Sequence, residues 1–243
     1  MWNDRFIVAW RSWKGNDMKH LLDRPVWSAL ASRHAALAEG GALARRYPAS
    51  IVPFASTGDD SEESLAALAT LVRSGETIFM AQADPIVLPG ELTATVTADA
   101  VQMLAENPLE KVIDERIRLL GPSDAPEMLE LATLTKPGPF TLRAMDLGEF
   151  FGISIDGRLA AMAGERMKQT GFTELSGVCV HPDFRGKGLA RLLSLFVAGR
   201  IASRGEAAYL HAYATNTAAI RLYERIGFEL RTGMHIAVVR RAG

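Results

Sequence analysis

Residues 178–190 read Val178-Cys179-Val180-His181-Pro182-Asp183-Phe184-Arg185-Gly186-Lys187-Gly188-Leu189-Ala190. An apolar strand runs into Val180, His181-Pro182-Asp183 ends it, glycines follow at 186 and 188, and an amphipathic helix opens at Leu189. This order makes an anion site: glycine lets the backbone come close to a ligand, and the unpaired N–H groups of a helix's first turn point at it. Arg185 and Lys187 add positive charge. Two common phosphate loops fail on spacing. Arg191 stands where a dinucleotide fingerprint has its third glycine. Gly188 stands where a P-loop has Ser or Thr after the lysine, and His181 where it has its opening glycine. Taken alone, the segment also suits an ordinary glycine-rich turn.

Around this junction the second half of the chain alternates strands and helices. Ile113–Leu119 reads as a strand, with a helix from about Ala125 to Leu134. Phe150–Ile155 and Leu159–Met167 flank Asp156-Gly157, a hairpin signal. Thr173–Val180 is the next strand. Leu189–Arg204 is a helix with Leu189, Leu192, Leu193, Phe196, Val197 and Ile201 on one face and Gly205 as its stop. Ala207–Tyr213 is a strand. Asn216 caps a helix with Ala219, Leu222, Tyr223 and Ile226 inward and Gly227 at its end. Ile236–Val239 closes the series. The expected architecture is an α/β layer on a mixed sheet.

The first half is less regular. All four tryptophans lie there, at 2, 10, 13 and 27, followed by an alanine-rich helical pattern from about Val26 to Ala44. A helix capped by Asp60 and ended by Gly75 follows, then strands at Thr77–Ala81 and Leu92–Thr97 and a short helix at Asp99–Glu106. No repeat, low-complexity tract or ligand cluster appears. Gly15-Asn16-Asp17 reads as a break, so Met18 is a candidate start, with residues 1–17 a dispensable extension. Against this, Trp2, Phe6, Trp10 and Trp13 can pack as an amphipathic helix.

Composition narrows the function classes. The chain has 243 residues, 48% hydrophobic and 23% charged, with a formal net charge of −1. That charge gives no general attraction to nucleic acid or an anionic membrane, so neither is expected as a partner. No run approaches the ~18 apolar residues a membrane span needs. A cytoplasmic location is the default, and the one cysteine, Cys179, fits a reducing compartment. Cys179 is one off the parity of Val178 and Val180 and reads as a packed thiol. The five histidines show no metal spacing, and no metal is expected.

The segment Arg185-Gly186-Lys187-Gly188-Leu189-Ala190 resembles the pyrophosphate signature Arg/Gln-x-x-Gly-x-Gly/Ala of the GNAT acetyltransferase superfamily. It matches at Arg185, Gly188 and Ala190. The stretch from Asn216 through Ala219, Leu222-Tyr223 and Gly227 to Phe228 resembles a second pattern of that family. The resemblance covers about Val112 to Arg240. It implies a GNAT-like mixed sheet flanked by helices, acetyl-CoA as acyl donor and an amine acceptor, either a small molecule or a peptide. It also implies that Val178 and Val180 pair with the pantetheine arm, that residues 185–190 (Arg185, Gly186, Lys187, Gly188, Leu189, Ala190) hold the pyrophosphate, and that Asn216 touches the pantetheine. The Val180 N–H would polarise the thioester carbonyl and Tyr223 would protonate the departing sulfur. Glu174 would be the base: it lies six residues before Val180, and period-2 geometry puts both on one face. Glu165 is its weaker substitute. The plainer readings are a salt-bridged strand glutamate and a core tyrosine.

The expected division is an N-terminal region, residues 1–110, and an acyltransferase domain, residues 111–243. The first is read as a degenerate second copy of the fold, a lid over the acceptor pocket, or an interaction surface. An N-acyltransferase is the leading function; a non-catalytic acyl-CoA sensor is the alternative.

Overall fold

The computed structural model describes residues 20–109 and 111–241. The reading of residues 1–17 as an extension lies outside the described residues.

Eight strands form one mixed sheet: β4 (Thr77–Gln82), β5 (Leu92–Leu104), β6 (Arg118–Leu119), β7 (Phe150–Ile155), β8 (Arg158–Gln169), β9 (Phe172–Val180), β10 (Ala207–Tyr213) and β11 (Glu229–Arg241). Their spatial order is β4-β11-β5-β10-β9-β8-β7-β6. The pair β9–β10 is parallel and the other neighbours are antiparallel. A mixed sheet flanked by helices is thus what the sequence predicts. The sheet takes strands from both halves of the chain, since β11 lies between β4 and β5 of the first half. Three short strands, β1 (Glu39–Gly40), β2 (Ala44–Arg46) and β3 (Ala55–Thr57), form a separate sheet. Beside β3, a parallel bridge from Phe54 to Phe79 links that region to β4.

Helix α1 spans Pro25–Leu30, α2 Glu62–Leu71, α3 Ala125–Thr135, α4 Leu189–Ser203 and α5 Thr217–Arg225. One apolar cluster joins Leu189, Leu193, Val197 and Ile201 of α4, and Tyr223 of α5, to Leu175, Ala161 and Ala163 of the sheet. A different cluster joins Met128 and Leu131 of α3 to Met162 and Cys179. Side chains alternate across a strand, so α3 and α4 cover opposite faces. The Asp156-Gly157 turn has φ of 51° and 75°, the left-handed pair that a two-residue hairpin of this twist needs.

Four expectations need correction. The helix expected over 99–106 is strand through Leu104, because this segment is held between β10 and β11; pairing on both edges overrides helix propensity. The helix from Val26 stops at Leu30, and Ala44–Arg46 instead pairs with β3. The cap of α2 is Ser61, whose hydroxyl accepts from the Ser64 N–H, and the helix closes at Val72 rather than Gly75. Asp60 is diverted into an ion pair with Arg24. The strand expected over 113–119 is reduced to Arg118–Leu119.

Candidate active site

Strands β9 and β10 pair at only three positions, Phe172–Glu174 with Ala207–Tyr209. Both then continue, β9 to Val180 and β10 to Tyr213, without pairing to each other. The result is a wedge within the sheet, bordered by Val178 and Val180 on one side. The His181 N–H donates to the Ala160 carbonyl across to β8 (2.8 Å). Backbone groups alternate in direction along a strand, so the Val178 and Val180 N–H groups face the wedge.

Beyond β9, a turn at Pro182–Phe184 leads into residues 185–188, all exposed. Gly186 and Gly188 have φ of 77° and 74°, a region that L side chains avoid. A Cβ at either would meet nothing within 4 Å, so the loop's outer surface is open. Gly188 caps α4 with no side chain bonded to its first turn. The first helical bond is the Leu192 N–H to the Gly188 carbonyl, which leaves the N–H groups of Leu189, Ala190 and Arg191 aimed outward. Among the described residues, Arg185, Lys187 and Arg191 have no ion-pair partner. Lys187 Nζ lies 5.3 Å from the Phe184 ring centroid. His181 Nδ1 accepts the Asp183 N–H, a local bond (3.3 Å).

Tyr223 is 8% exposed and packs edge-on to Phe228 at 6.0 Å. It belongs to the apolar cluster on which Val178 and Val180 rest. Burial, and after it the nearby Cys179 sulfur, raises its pKa, so the hydroxyl is protonated at neutral pH. No hydrogen bond to that hydroxyl exists among the described residues. Asn216 caps α5, its Oδ1 accepting the Ala219 N–H at 3.2 Å. The Cys179 thiol is pushed up to about 12, chiefly by burial, and is a packed thiol as expected.

Glu174 does not sit where simple alternation places it. Between Ser176↔Gly164 and Cys179↔Met162 strand β9 holds one more residue than β8, a bulge in which Gly177 has φ of 62°. An extra residue reverses side-chain parity beyond it. Leu175 therefore shares the α4 face with Val178 and Val180, and Glu174 points to the opposite face.

There its carboxylate is filled. Oε1 accepts from Arg166 Nη2 (2.7 Å) and His211 Nδ1 (2.8 Å); Oε2 accepts from Arg166 Nε (2.8 Å) and the Met167 N–H (3.3 Å). Burial alone would raise its pKa, but the Arg166 charge and the bonds from Arg166 and His211 outweigh it and bring it to about 2. His211 Nε2 takes a hydrogen bond from Gln102 Nε2 (2.9 Å), which also donates to the Leu22 carbonyl (2.9 Å). Gln102 Oε1 accepts from Arg231, which pairs with Asp23 at 2.6 Å. A polar chain so runs over β8, β9, β10, β5 and β11, and sequence spacing carried no sign of it. Glu165 is likewise engaged, by Lys168 and Arg204, each at 2.7 Å. Among the described residues, no group of three His, Cys, Asp or Glu is placed to hold a metal ion, and no helix is long and apolar enough to cross a membrane.

The model for FR47-like proteins matches residues 151–236, which holds the wedge, the glycine loop and Tyr223. A crystal structure from Novosphingobium aromaticivorans, of a protein assigned to the GNAT acetyltransferases, is 39% identical over 93% of this chain and 100% of its own, with a TM-score of 0.87. The chain belongs to the GNAT family. A GCN5-related N-acetyltransferase from Kribbella flavida (17% identity, 90% and 94% coverage, TM-score 0.56) and a Drosophila protein (19%, 80% and 73%, 0.53) share the fold. None of the curated proteins matches this sequence. Its GNAT membership supports acyl transfer as the general activity.

Proposed function

We propose that this protein transfers an acetyl or short acyl group from acyl-CoA to an amine by direct attack. The observation that carries this reading is the β9–β10 wedge, whose free N–H edge ends at the open glycine loop and the uncapped start of α4. Peptide-like pantetheine fits an unpaired strand edge, which offers donors and acceptors in register. Arg185, Gly186, Lys187, Gly188, Leu189 and Ala190 bind the pyrophosphate through N–H groups and charge. Asn216, which follows β10 and caps α5, supplies a further contact to the pantetheine in this reading.

In the reaction the amine nitrogen bonds to the thioester carbon while the carbonyl oxygen gains charge, which the Val180 N–H stabilises. The C–S bond then breaks, Tyr223 donates its proton to the departing sulfur, and the phenolate is reprotonated from solvent. The amine gives up its proton to water. Glu174 has no lone pair left for that proton and acts as a positioning residue holding Arg166 and His211. Ile51 and Val52 border the cleft beside Arg166, so the first half supplies a wall of the acceptor site. No metal takes part, and the site of action is the cytoplasm.

Thiol release from acetyl-CoA with a panel of amines tests this reading. Amine-dependent release supports it. Tight acetyl-CoA binding with no release for any amine would instead make the protein an acyl-CoA sensor.

A further inference from the structure

On the face opposite α4, a cleft reaches the bulge of β9. Ile51, Val52, Pro139 and Phe140 are among its apolar walls, and Arg166 with Ser176 and Gly177 also line it. Among the described residues Arg166 is the one charged residue there, and its side chain is 14% exposed. Its guanidinium lies over the Phe54 ring, 5.0 Å from the centroid. Glu174 occupies Nε and Nη2. Nη1 has no hydrogen-bond partner among the described residues; a Cβ built on Gly138 would lie 3.8 Å from it. The two N–H donors of Nη1 thus open into an apolar cleft and are free to meet a bound acceptor.

We infer that Arg166 recognises the acceptor through a neutral carbonyl oxygen close to the amine. The preferred acceptors are then amines that carry an amide, rather than free amino acids or plain alkylamines. The inference rests on the acyl transfer proposed above.

Charge selects the neutral oxygen. Glu174 already balances Arg166, so an acceptor carboxylate would bring a second, unmatched anion into apolar surroundings, which is costly. An amide oxygen satisfies Nη1 and leaves the charge balanced. Size agrees, because the cleft between its present walls holds about one water-sized group. An oxygen fits against Nη1, and the rest of the acceptor lies along the apolar rim. Position agrees as well. The cleft is lined by Ser176 and Gly177 of β9, the residues that run directly into the Val178–Val180 edge of the wedge. An acceptor whose carbonyl is held at Arg166 would place its amine toward that edge, as an α-amino amide can.

Leucinamide, leucine and 3-methylbutylamine present the same apolar body with an amide, a carboxylate or neither. Their kcat/KM values by thiol release from acetyl-CoA test the inference. Wild-type protein is expected to favour leucinamide over 3-methylbutylamine by about 10- to 100-fold, the worth of a hydrogen bond to a charged donor, with leucine below leucinamide. Arg166→Lys keeps a charge for Glu174 but loses the planar fork, so the ratio should collapse to within about threefold. Equal values for leucinamide and 3-methylbutylamine, or leucine as the best acceptor, overturn the inference on wild-type protein alone. An unchanged ratio in folded Arg166→Lys also overturns it. If leucinamide is inert while another amine releases thiol, the inference fails and acyl transfer stands; if every amine is inert, both fail. A leucyl tripeptide amide as good as leucinamide or better identifies peptide termini as the source of the carbonyl, and a poorer one identifies small amides.

Discussion

Arg166 and Glu174 form a two-pronged ion pair, Nε to Oε2 at 2.8 Å and Nη2 to Oε1 at 2.7 Å, in which the carboxylate is filled and the guanidinium is not. Glu174→Gln leaves the Arg166 charge buried without its counterion, and the two groups that replace the carboxylate oxygens cannot both accept. Breaking a buried pair on one side costs about 3–5 kcal/mol. The variant should melt well below wild type in a thermal or urea titration. An unchanged midpoint would mean that the pair is not structural.

The same carboxylate sets an acid limit. Its pKa falls from 4.5 to about 2 on folding, so between these values the unfolded chain binds more protons. The stabilisation is complete above about pH 4.5 and is lost as pH falls toward 2. Urea midpoints measured across that window should decline in wild type and decline less steeply in Glu174→Gln. Parallel declines would assign the acid sensitivity to other carboxylates.

The bulge at Gly177 is the third test. With φ of 62° and a built Cβ only 2.7 Å from Phe150 Cε1, Gly177→Val meets both backbone strain and a ring contact. A loss of about 1–3 kcal/mol is expected. Because the bulge sets the direction of Val178 and Val180, acetyl turnover should drop too. A folded variant with wild-type stability and turnover would show that β9 tolerates a regular register.

How far the sequence could be read depends on how local each signal is. Ala207–Tyr213 agrees with β10 residue for residue, and Asp156-Gly157 and Gly186-Lys187-Gly188 carry their conformations in their own residue types. The strand through Leu104 was missed because Ala-Val-Gln-Met-Leu favours helix, while its partner β11 is more than a hundred residues away. Gly177 did carry a signal, since a lone glycine within a strand marks a bulge; counting alternate residues across it put Glu174 on the wrong face. Gln102, His211 and Arg231 meet only through the sheet order, and nothing in their spacing announces it.

Gly188→Val tests the loop. A Cβ there meets nothing within 4 Å, so the fold has no clash to absorb. The cost arises from φ of 74°, a region that β-branched residues avoid. The melting temperature should fall by only the several degrees that about 1–3 kcal/mol of backbone strain costs, while calorimetric titration with acetyl-CoA should show binding reduced at least about tenfold, a change of ~1.4 kcal/mol. Unchanged affinity in a folded variant would remove the pyrophosphate from this loop.

Tyr223→Phe separates packing from chemistry. The ring, edge-on to Phe228 at 6.0 Å, is kept. The hydroxyl bonds to none of the described residues, so deleting it strands no partner inside the fold and should leave the melting temperature and acetyl-CoA affinity intact. Its role would then lie in the reaction alone. A thiol has an ordinary pKa of about 8.5 and leaves partly as thiolate, so an acid beside it speeds departure without being indispensable. Burial holds the tyrosine above its ordinary pKa, which keeps the proton available at neutral pH. Single-turnover measurements with a competent amine should show a fall of about 10²–10⁴, the usual worth of one general acid. If Tyr223→Phe turns over at the wild-type rate while chemistry limits the rate, the sulfur takes its proton from elsewhere and Tyr223 is a core residue of α5.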